Sequence, residues 1–232
     1  MNYSKNTDRL DIHVNDQAKT ITIRQRWKYL WRYDTPHGIE PWNPGEKEYF
    51  HQQAVLLIKS IWESAPRVHL RGDSDFAKRH AGRGFQLRFD IEQVKAGEHW
   101  TISANKVANS VIFRSWTDWT GRRIILDIQD TAPVLRYFNR RPVYQFPVVH
   151  EFGHAIGNTA IPGVSTHGDE YNTPFTYYSL MNNRDMSAQY ADYTSIMHRG
   201  LDLRARHFDY LLRALDTMIP GSTFYFNALS RW

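Results

Sequence analysis

The five residues from 150 to 154 constrain this chain more than any other stretch, because they spell H-E-x-x-H. Residues four apart on an α-helix lie one turn above each other, so His150 and His154 can hold one metal ion from the same face. Neutral imidazole nitrogens suit Zn²⁺, and a catalytic zinc site keeps one position for water. We expect Glu151 to lie beside the ion without binding it and to accept a proton from that water.

The flanks of this motif also predict a helix. Pro147 suits the first helical position, and Gly157 and Asn158 tolerate the left-handed conformation that commonly ends a helix. The alternative is a chance match to the motif on a buried helix. The two interpretations differ in whether the chain supplies a third ligand, since zinc sites need one.

Composition limits the remaining possibilities. A chain of 232 residues with 41% hydrophobic residues suits one folded domain. It contains no cysteine, which excludes disulfides and thiolate metal sites. The net charge is +5, but the arginines are scattered and form no basic block, so we predict no nucleic-acid partner. No run approaches the roughly 20 apolar residues of a membrane helix, and residues 1–16 lack a signal-peptide pattern.

The pattern along the chain predicts an α+β fold. Residues 10–14 and 20–23 alternate around a turn and predict a β-hairpin, whereas residues 27–42 are aromatic and turn-rich and predict an irregular segment. Apolar residues at helical spacing predict helices over 46–63 and 204–219. Strands are predicted over 68–70, 85–94, 100–104 and 123–128, and residues 131–141 predict a short helix or an extended link. We therefore expect an N-terminal hairpin and irregular segment, residues 1–45, packed on a domain, residues 46–232, that contains the H-E-x-x-H residues.

Potential third ligands lie downstream of the motif. Residues 167–170 offer one imidazole and two carboxylates, those of His167, Asp169 and Glu170. Another interpretation is a polar surface loop with a turn at residues 168–169. Given the two histidines upstream, we prefer the metal-binding interpretation.

The residues H-E-F-G-H-A-I-G at 150–157, followed by S-I-M at 195–197, resemble the metzincin clan of zinc metallopeptidases. In that clan the glycine turns the chain under the zinc, and a methionine turn forms a hydrophobic floor beneath it. The resemblance assigns these roles to Gly157 and Met197. It implies a single metzincin-like domain with a mixed twisted sheet, a backing helix, an active-site helix, a methionine turn and a C-terminal helix.

One position departs from the clan. The third ligand is expected three residues after the glycine, where Ala160 stands. Some bacterial relatives carry a D-E-Y tripeptide at that place, and here the same letters arrive later, at 169–171. This makes Glu170 the first choice as third ligand, with His167 and Asp169 as rivals.

The same relatives include metallopeptidase toxin domains attached to type VI secretion spike (VgrG) and Rhs-type proteins. The resemblance therefore implies a secreted antibacterial effector that is delivered to a target cell, acts on a protein or peptide substrate in its periplasm, and has a spike protein and an immunity protein as partners. The alternative is a catalytically inactive, zinc-stabilised binding module of a secretion spike. An unliganded Glu151 argues against it, because a structural site has no need of that carboxylate.

Peptide hydrolysis also needs a donor for the negative charge that develops on the carbonyl oxygen. A metzincin tyrosine two residues after the methionine is replaced here by Arg199. The candidates for oxyanion or substrate contacts are Tyr171, Tyr193, His198, Arg199 and His207. Strand 85–94 or strand 100–104 is expected to present an edge to an extended substrate.

Overall fold

The computed structural model describes residues 2–138, 140–159, 161, 163–164, 192 and 194–229. In this part of the chain, seven strands form one mixed sheet, which runs β1-β2-β3-β6-β8-β7 with β5 paired to β3. The seven strands are β1 (Asn2–Asn6), β2 (Asp11–Asn15), β3 (Thr20–Tyr33), β5 (Gln86–Gln93), β6 (Trp100–Lys106), β7 (Trp116–Asp118) and β8 (Arg123–Asp127). Strands β3, β5, β6 and β8 are parallel to their neighbours in this set, and the other pairs are antiparallel.

The long strand β3 organises this sheet. It pairs with β2 and β5 along its first half and with β6 along its second half. The predicted hairpin of β2 and β3 is confirmed. The irregular segment expected from residue 27 is wrong up to Tyr33, because β3 continues through it. Its aromatic residues recur at every second position, with Trp27 and Tyr29 buried on one face, which is the side-chain period of a strand.

Helix α1 (Pro44–Trp62) confirms the helix predicted over 46–63. Asn43 and Glu46 form a reciprocal capping box at its start, which satisfies two backbone N–H groups. At its other end the indole of Trp62 is fully buried and its Nε1 donates to the carbonyl oxygen of Val149, at 3.1 Å. This bond ties α1 to the helix that carries the H-E-x-x-H residues.

That helix is α3 (Pro147–Ala155), so the helix expected at the motif is confirmed. Pro147 occupies its first turn, and the backbone N–H of Val148 donates to the carbonyl of Asp130. At the far end the Gln25 side chain of β3 donates to the carbonyl of Ala155, at 3.0 Å. An otherwise unsatisfied carbonyl of the last turn is thereby bonded to the central strand.

Smaller elements complete the fold. The segment 131–141, predicted as a short helix or an extended link, belongs instead to a β-hairpin that continues to residue 145. Near the C-terminal end, a 3₁₀ turn (Ala205–Phe208) leads into an α-helix (Asp209–Met218), so the helix predicted over 204–219 is confirmed in its main part. The remaining elements are β4 (Val68–Gly72), α2 (Asp75–Arg79), β9 (Val134–Phe138), β10 (Arg141–Gln145), α4 (Asp209–Met218) and β11 (Ser222–Phe226). Strand β11 pairs with β4.

The architecture is α+β, with a mixed sheet and few helices in the described residues. The N-terminal strands β1 to β3 belong to the same sheet as β5 to β8, and their buried side chains join one hydrophobic core with α1, α3 and α4. In the described residues, none of the helices has the length and apolar character that a membrane crossing requires.

Candidate metal centre

The two imidazoles of the motif face each other on α3. The Nε2 atoms of His150 and His154 lie 3.2 Å apart, and the ring planes are nearly perpendicular. The Nδ1 atom of His150 lies 2.8 Å from the carbonyl oxygen of Ile196, and the Nδ1 atom of His154 is bonded to the carbonyl oxygen of Asn158. A carbonyl only accepts, so both contacts require a proton on Nδ1; the Gln145 Nε2 atom, 3.1 Å from His150 Nδ1, then donates to the carbonyl of His198. In a neutral ring this leaves a lone pair on Nε2.

Two lone pairs at this distance repel each other unless a cation lies between them. A tetrahedral zinc ion with Zn–N bonds of about 2.0–2.1 Å would hold two nitrogens about 3.3 Å apart. The observed separation of 3.2 Å fits that value. A backbone carbonyl behind each ring is also the usual partner of a metal-binding histidine, because it orients the ring and makes Nε2 the ligand atom. The residues present therefore fit one zinc ion.

The backbone behind His150 belongs to the turn formed by residues 194–200. The N–H of Ile196 donates to Asp202, and the N–H groups of His198 and Gly200 donate to the carbonyl of Ser195. Gln145, at the end of β10, reaches the same turn, since its side-chain amide donates to the carbonyl of His198 at 2.8 Å. The hairpin β9–β10 and the turn thus both support the ring of His150.

Within the turn, Ser195 and His207 are buried together. The Nδ1 of His207 accepts the N–H of Arg204, so its Nε2 donates to the Ser195 hydroxyl, at 3.1 Å. The same hydroxyl accepts the N–H of Met197 at 3.2 Å. Both ring nitrogens of His207 are therefore engaged in hydrogen bonds that shape the turn.

Two glycines allow close packing around α3. A Cβ on Gly153 would lie 2.2 Å from the Sδ atom of Met197, so the methionine packs directly against the helix backbone between the two histidines. Gly157 has φ +116°, and a Cβ there would lie 2.3 Å from the Cβ of Tyr210 in α4. The chain therefore turns at Gly157 in a conformation and a space that favour glycine.

Glu151 is buried, with 5% of its surface exposed, and it is held by strand β7. The hydroxyl of Thr117 lies 2.8 Å from the Oε2 atom of Glu151 and 3.1 Å from its backbone carbonyl. This contact joins the carboxylate of α3 to the strand beside it. The sequence gives no signal for this contact, because Thr117 is one polar residue in a short strand.

A cleft of about 970 Å³ opens above the motif. Glu151 and the two histidines lie in it together with Trp116 and Thr117 of β7. It is also lined by Asp127 and Asp130, by Val134 and Arg136 of β9, and by Arg199. Burial and the neighbouring Asp127 raise the pKa of Asp130 to about 7, although the Ser115 hydroxyl, 2.5 Å away, opposes that change. Burial also raises the pKa of Asp127.

The strand that borders the cleft differs from the two that were expected to present an edge. Strand β6, residues 100–106, is wrong for that role because it is paired on both sides, with β3 and with β8. Strand β5 pairs with β3 but contributes no residue to the cleft lining. The N–H of its Phe89 donates to the Glu63 carboxylate, at 2.8 Å. Strand β7 pairs with β8 and ends the sheet on that side in the described part of the chain.

The predicted site residues are distributed unevenly. His150, Glu151, His154 and Arg199 line one cleft. Met197, His198 and His207 are buried in or beside the turn and are not among the residues that line this cleft. Glu170, Asp169, His167, Tyr171 and Tyr193 lie outside the described residues. The described residues contain no group of three or more His, Cys, Asp or Glu side chains placed to hold a metal ion, so the third ligand stays a prediction.

Comparison of the chain with protein-family models, with curated proteins and with solved structures gave no significant match.

Proposed function

We propose that this chain is a zinc-dependent metalloendopeptidase of metzincin type. The observation that carries the proposal is the pair of Nε2 atoms 3.2 Å apart on α3, with Glu151 beside them at the base of a large cleft. Imidazoles alone would suit a structural site, but the buried carboxylate adds a proton acceptor that hydrolysis requires. The metzincin assignment is supported by the left-handed turn at Gly157 and by Met197 packed against Gly153.

In this proposal each residue of the site has a distinct role in peptide hydrolysis. A zinc ion held by His150 and His154 would supply Lewis acidity, which activates a water molecule and polarises a peptide carbonyl. Glu151 accepts the proton of the attacking water and returns it to the leaving amine. Thr117 holds the Oε2 atom of Glu151 and so helps to fix the orientation of the carboxylate. Arg199, which lines the cleft, is the candidate donor to the developing oxyanion.

The substrate would bind as an extended strand beside β7. An edge strand offers backbone N–H and C=O groups that an added peptide can pair with. Because Thr117 lies in β7 and touches Glu151, a peptide paired with this strand would be held next to the general base. Such positioning accounts for a large share of enzymatic rate enhancement.

Metal content and activity of three variants test this proposal. We expect close to one zinc per chain, casein cleavage by the wild type, and loss of most zinc in His154→Ala. Glu151→Gln should keep its zinc and lose turnover, because a base is removed while both histidines remain. A chain that holds no transition metal, or a Glu151→Gln variant as active as the wild type, would contradict the proposal.

The third ligand is tested separately by zinc affinity. We propose Glu170, whose carboxylate would partly offset the charge of the ion, with His167 and Asp169 as rivals. The true ligand should lower affinity by orders of magnitude when it is changed to alanine, whereas the other two changes should have small effects. A Glu170→Ala protein that binds zinc like the wild type would exclude Glu170 as the third ligand and leave His167 and Asp169 as the candidates.

The resemblance to spike-borne toxins supports a further part of the proposal. We propose that the peptidase is a type VI effector delivered to a target cell, with an immunity protein in the producing cell. The inactive binding module of a spike is the alternative, and it predicts a wild type that holds zinc and does not cleave casein.

A further inference from the structure

Among the charged side chains that line the cleft, the arginines are exposed and the carboxylates are buried. Arg114, Arg136 and Arg199 are exposed, whereas Asp127, Asp130 and Glu151 are buried. A ligand that enters the cleft therefore meets guanidinium groups before it meets carboxylates.

The three carboxylates direct their charge toward the protein itself. Asp130 Oδ2 accepts the N–H of Asp127 at 2.8 Å and the hydroxyl of Ser115 at 2.5 Å. Asp127 Oδ1 accepts the N–H of Gln129, and Glu151 Oε2 accepts the hydroxyl of Thr117. Such hydrogen bonds satisfy part of the acceptor capacity of these groups and reduce the field that they project into the cleft.

Two of the arginines have no carboxylate partner among the described residues. In the described part of the chain, Arg114 and Arg136 make no ion pair. They come from different segments, since Arg114 precedes β7 and Arg136 lies in β9. In the β9–β10 hairpin Val134 pairs with Gln145, and residues 134 and 136 point to the same side, so Arg136 shares its face with two other residues that line the cleft.

We propose that the cleft selects peptide segments that carry aspartate or glutamate side chains beside the bond that is hydrolysed, and this inference rests on the proposed peptidase function. Guanidinium groups bind carboxylates through paired N–H donors, and opposite charges across an interface steer association and fix register. The exposed indole of Trp116, in the same cleft, adds an apolar surface between these charges. The preferred segment is therefore acidic with interspersed apolar residues.

A peptide fits these observations better than a nucleic acid does. The border of the cleft is a β-strand edge, which pairs with an extended peptide backbone. Nucleic-acid grooves use a continuous basic track with aromatic platforms for successive bases. Here the exposed guanidinium groups belong to Arg114, Arg136 and Arg199, which come from three separate segments of the chain.

Binding to the catalytically silent Glu151→Gln protein tests this inference independently of turnover. The probes are fluorescein-labelled peptides of equal length that carry Asp and Glu, their Asn and Gln isosteres, or Lys at the same positions, and a single-stranded DNA of similar length. We expect the acidic peptide to bind about tenfold more tightly than its amide isostere at low salt, since exposed charge pairs each contribute about twofold to fivefold. The difference should shrink as salt screens the charges.

Charge reversal supplies the matched control. Adding Arg114→Glu and Arg136→Glu to this protein should abolish or invert the preference for the acidic peptide over its amide isostere. Arg83→Glu combined with Lys95→Glu makes the same change in net charge at two exposed residues that do not line the cleft, and it should preserve the preference. Equal binding of acidic and amide peptides, equal effects of the reversal at both places, or tighter binding of the DNA would overturn the inference.

The outcome also separates this inference from the proposed function. If the wild type cleaves casein without an acidic preference in binding, the inference fails and the peptidase stands. If no peptide is cleaved but the arginine-dependent preference is measured, the acidic cleft stands and the proposed activity fails.

Discussion

At the scale of single residues, the proposed general base, Glu151, is positioned by its contact with β7 as well as by its place on α3. Thr117 donates to the Oε2 atom of Glu151 at 2.8 Å, and the carboxylate is buried. A carboxylate without such a bond rotates more freely, whereas this one is held in one orientation by the Thr117 hydroxyl. We therefore regard Thr117 as a positioning residue for Glu151.

Thr117→Val removes the hydroxyl and keeps the shape of the side chain. A hydrogen bond to a charged group contributes about 1.5–3 kcal/mol, so we expect kcat to fall about tenfold to a hundredfold. KM and zinc content should change little, because no ligand is touched. Thr117→Ser restores the hydroxyl and should recover most of the activity. A loss that appears in KM alone, or that serine does not recover, would show that Thr117 only packs β7 against α3.

Asp130 gives a prediction about stability against pH. Its pKa is raised from 3.8 to about 7, mainly by burial. A carboxyl group with a raised folded-state pKa contributes stability that is complete below about pH 4 and is lost as pH rises through 7. About three pH units correspond to an order of 4 kcal/mol. Asp130→Asn should therefore be less pH-dependent than the wild type between pH 4 and 8 and relatively more stable at pH 8.

Urea unfolding at pH 5 and pH 8 measures this difference. The amide oxygen of asparagine can still accept the N–H of Asp127 and the Ser115 hydroxyl, so the hydrogen bonds of the site are retained. Asp73→Asn, at an exposed aspartate, is the surface control. If the wild type and Asp130→Asn lose stability in parallel over this range, the ionisation of Asp130 does not set the pH dependence.

At the scale of elements, patterns within a few consecutive residues predicted the helices, whereas the pairing of short strands could not be predicted from them. Helices α1 and α3 follow from apolar spacing, Pro147 and Gly157, all of which act within a few residues. The hairpin β9–β10 was missed because alternation over 134–145 is weak, and its pairing depends on register between two short strands. Strand β7 was missed for the same reason, since three residues carry no period. The contact of Thr117 with Glu151 depends on that strand and so could not be predicted.

The packing of the methionine turn on α3 depends on the absence of one side chain. A Cβ on Gly153 would lie 2.2 Å from Met197 Sδ and 2.9 Å from Trp62 Cζ2. Alanine is ordinarily better than glycine in a helix by about 1 kcal/mol. Here we expect Gly153→Ala to destabilise the protein by about 1–3 kcal/mol through overpacking. It should also weaken zinc binding, because displacement of the turn moves the Ile196 carbonyl that orients His150.

A second helical glycine and a double mutant complete this test. Gly45→Ala, in the first turn of α1, adds a methyl group 3.4 Å from its nearest neighbour, so its effect should be small. Met197→Ala creates space beside Gly153, and the double mutant should be more stable than the sum of the single changes predicts. Additive effects of the two changes would mean that the methionine does not set the requirement for glycine.

At the scale of the whole molecule, the fold is one core that needs no covalent cross-link. The N-terminal strands join strands from the middle of the chain in one sheet, and α1, α3 and α4 bury their apolar faces in the same core. The chain contains no cysteine. Because disulfides are what makes folding depend on redox compartment, this chain should fold equally well in a reducing cytoplasm and in an oxidising periplasm.

Because folding should not depend on the compartment, comparing expression in the periplasm with expression in the cytoplasm tests the proposed antibacterial role. We expect the active protein directed to the periplasm of a bacterial host to reduce viability, and the same protein in the cytoplasm to do so much less, because the proposed substrate lies in the periplasm. Glu151→Gln, directed to the same place and expressed to the same level, should be harmless. The melting temperature should be the same with and without a reductant, so that a difference in toxicity reports substrate location and not folding. If active enzyme is equally harmless in both compartments, the antibacterial role is wrong, while peptidase activity measured on casein is unaffected by that result.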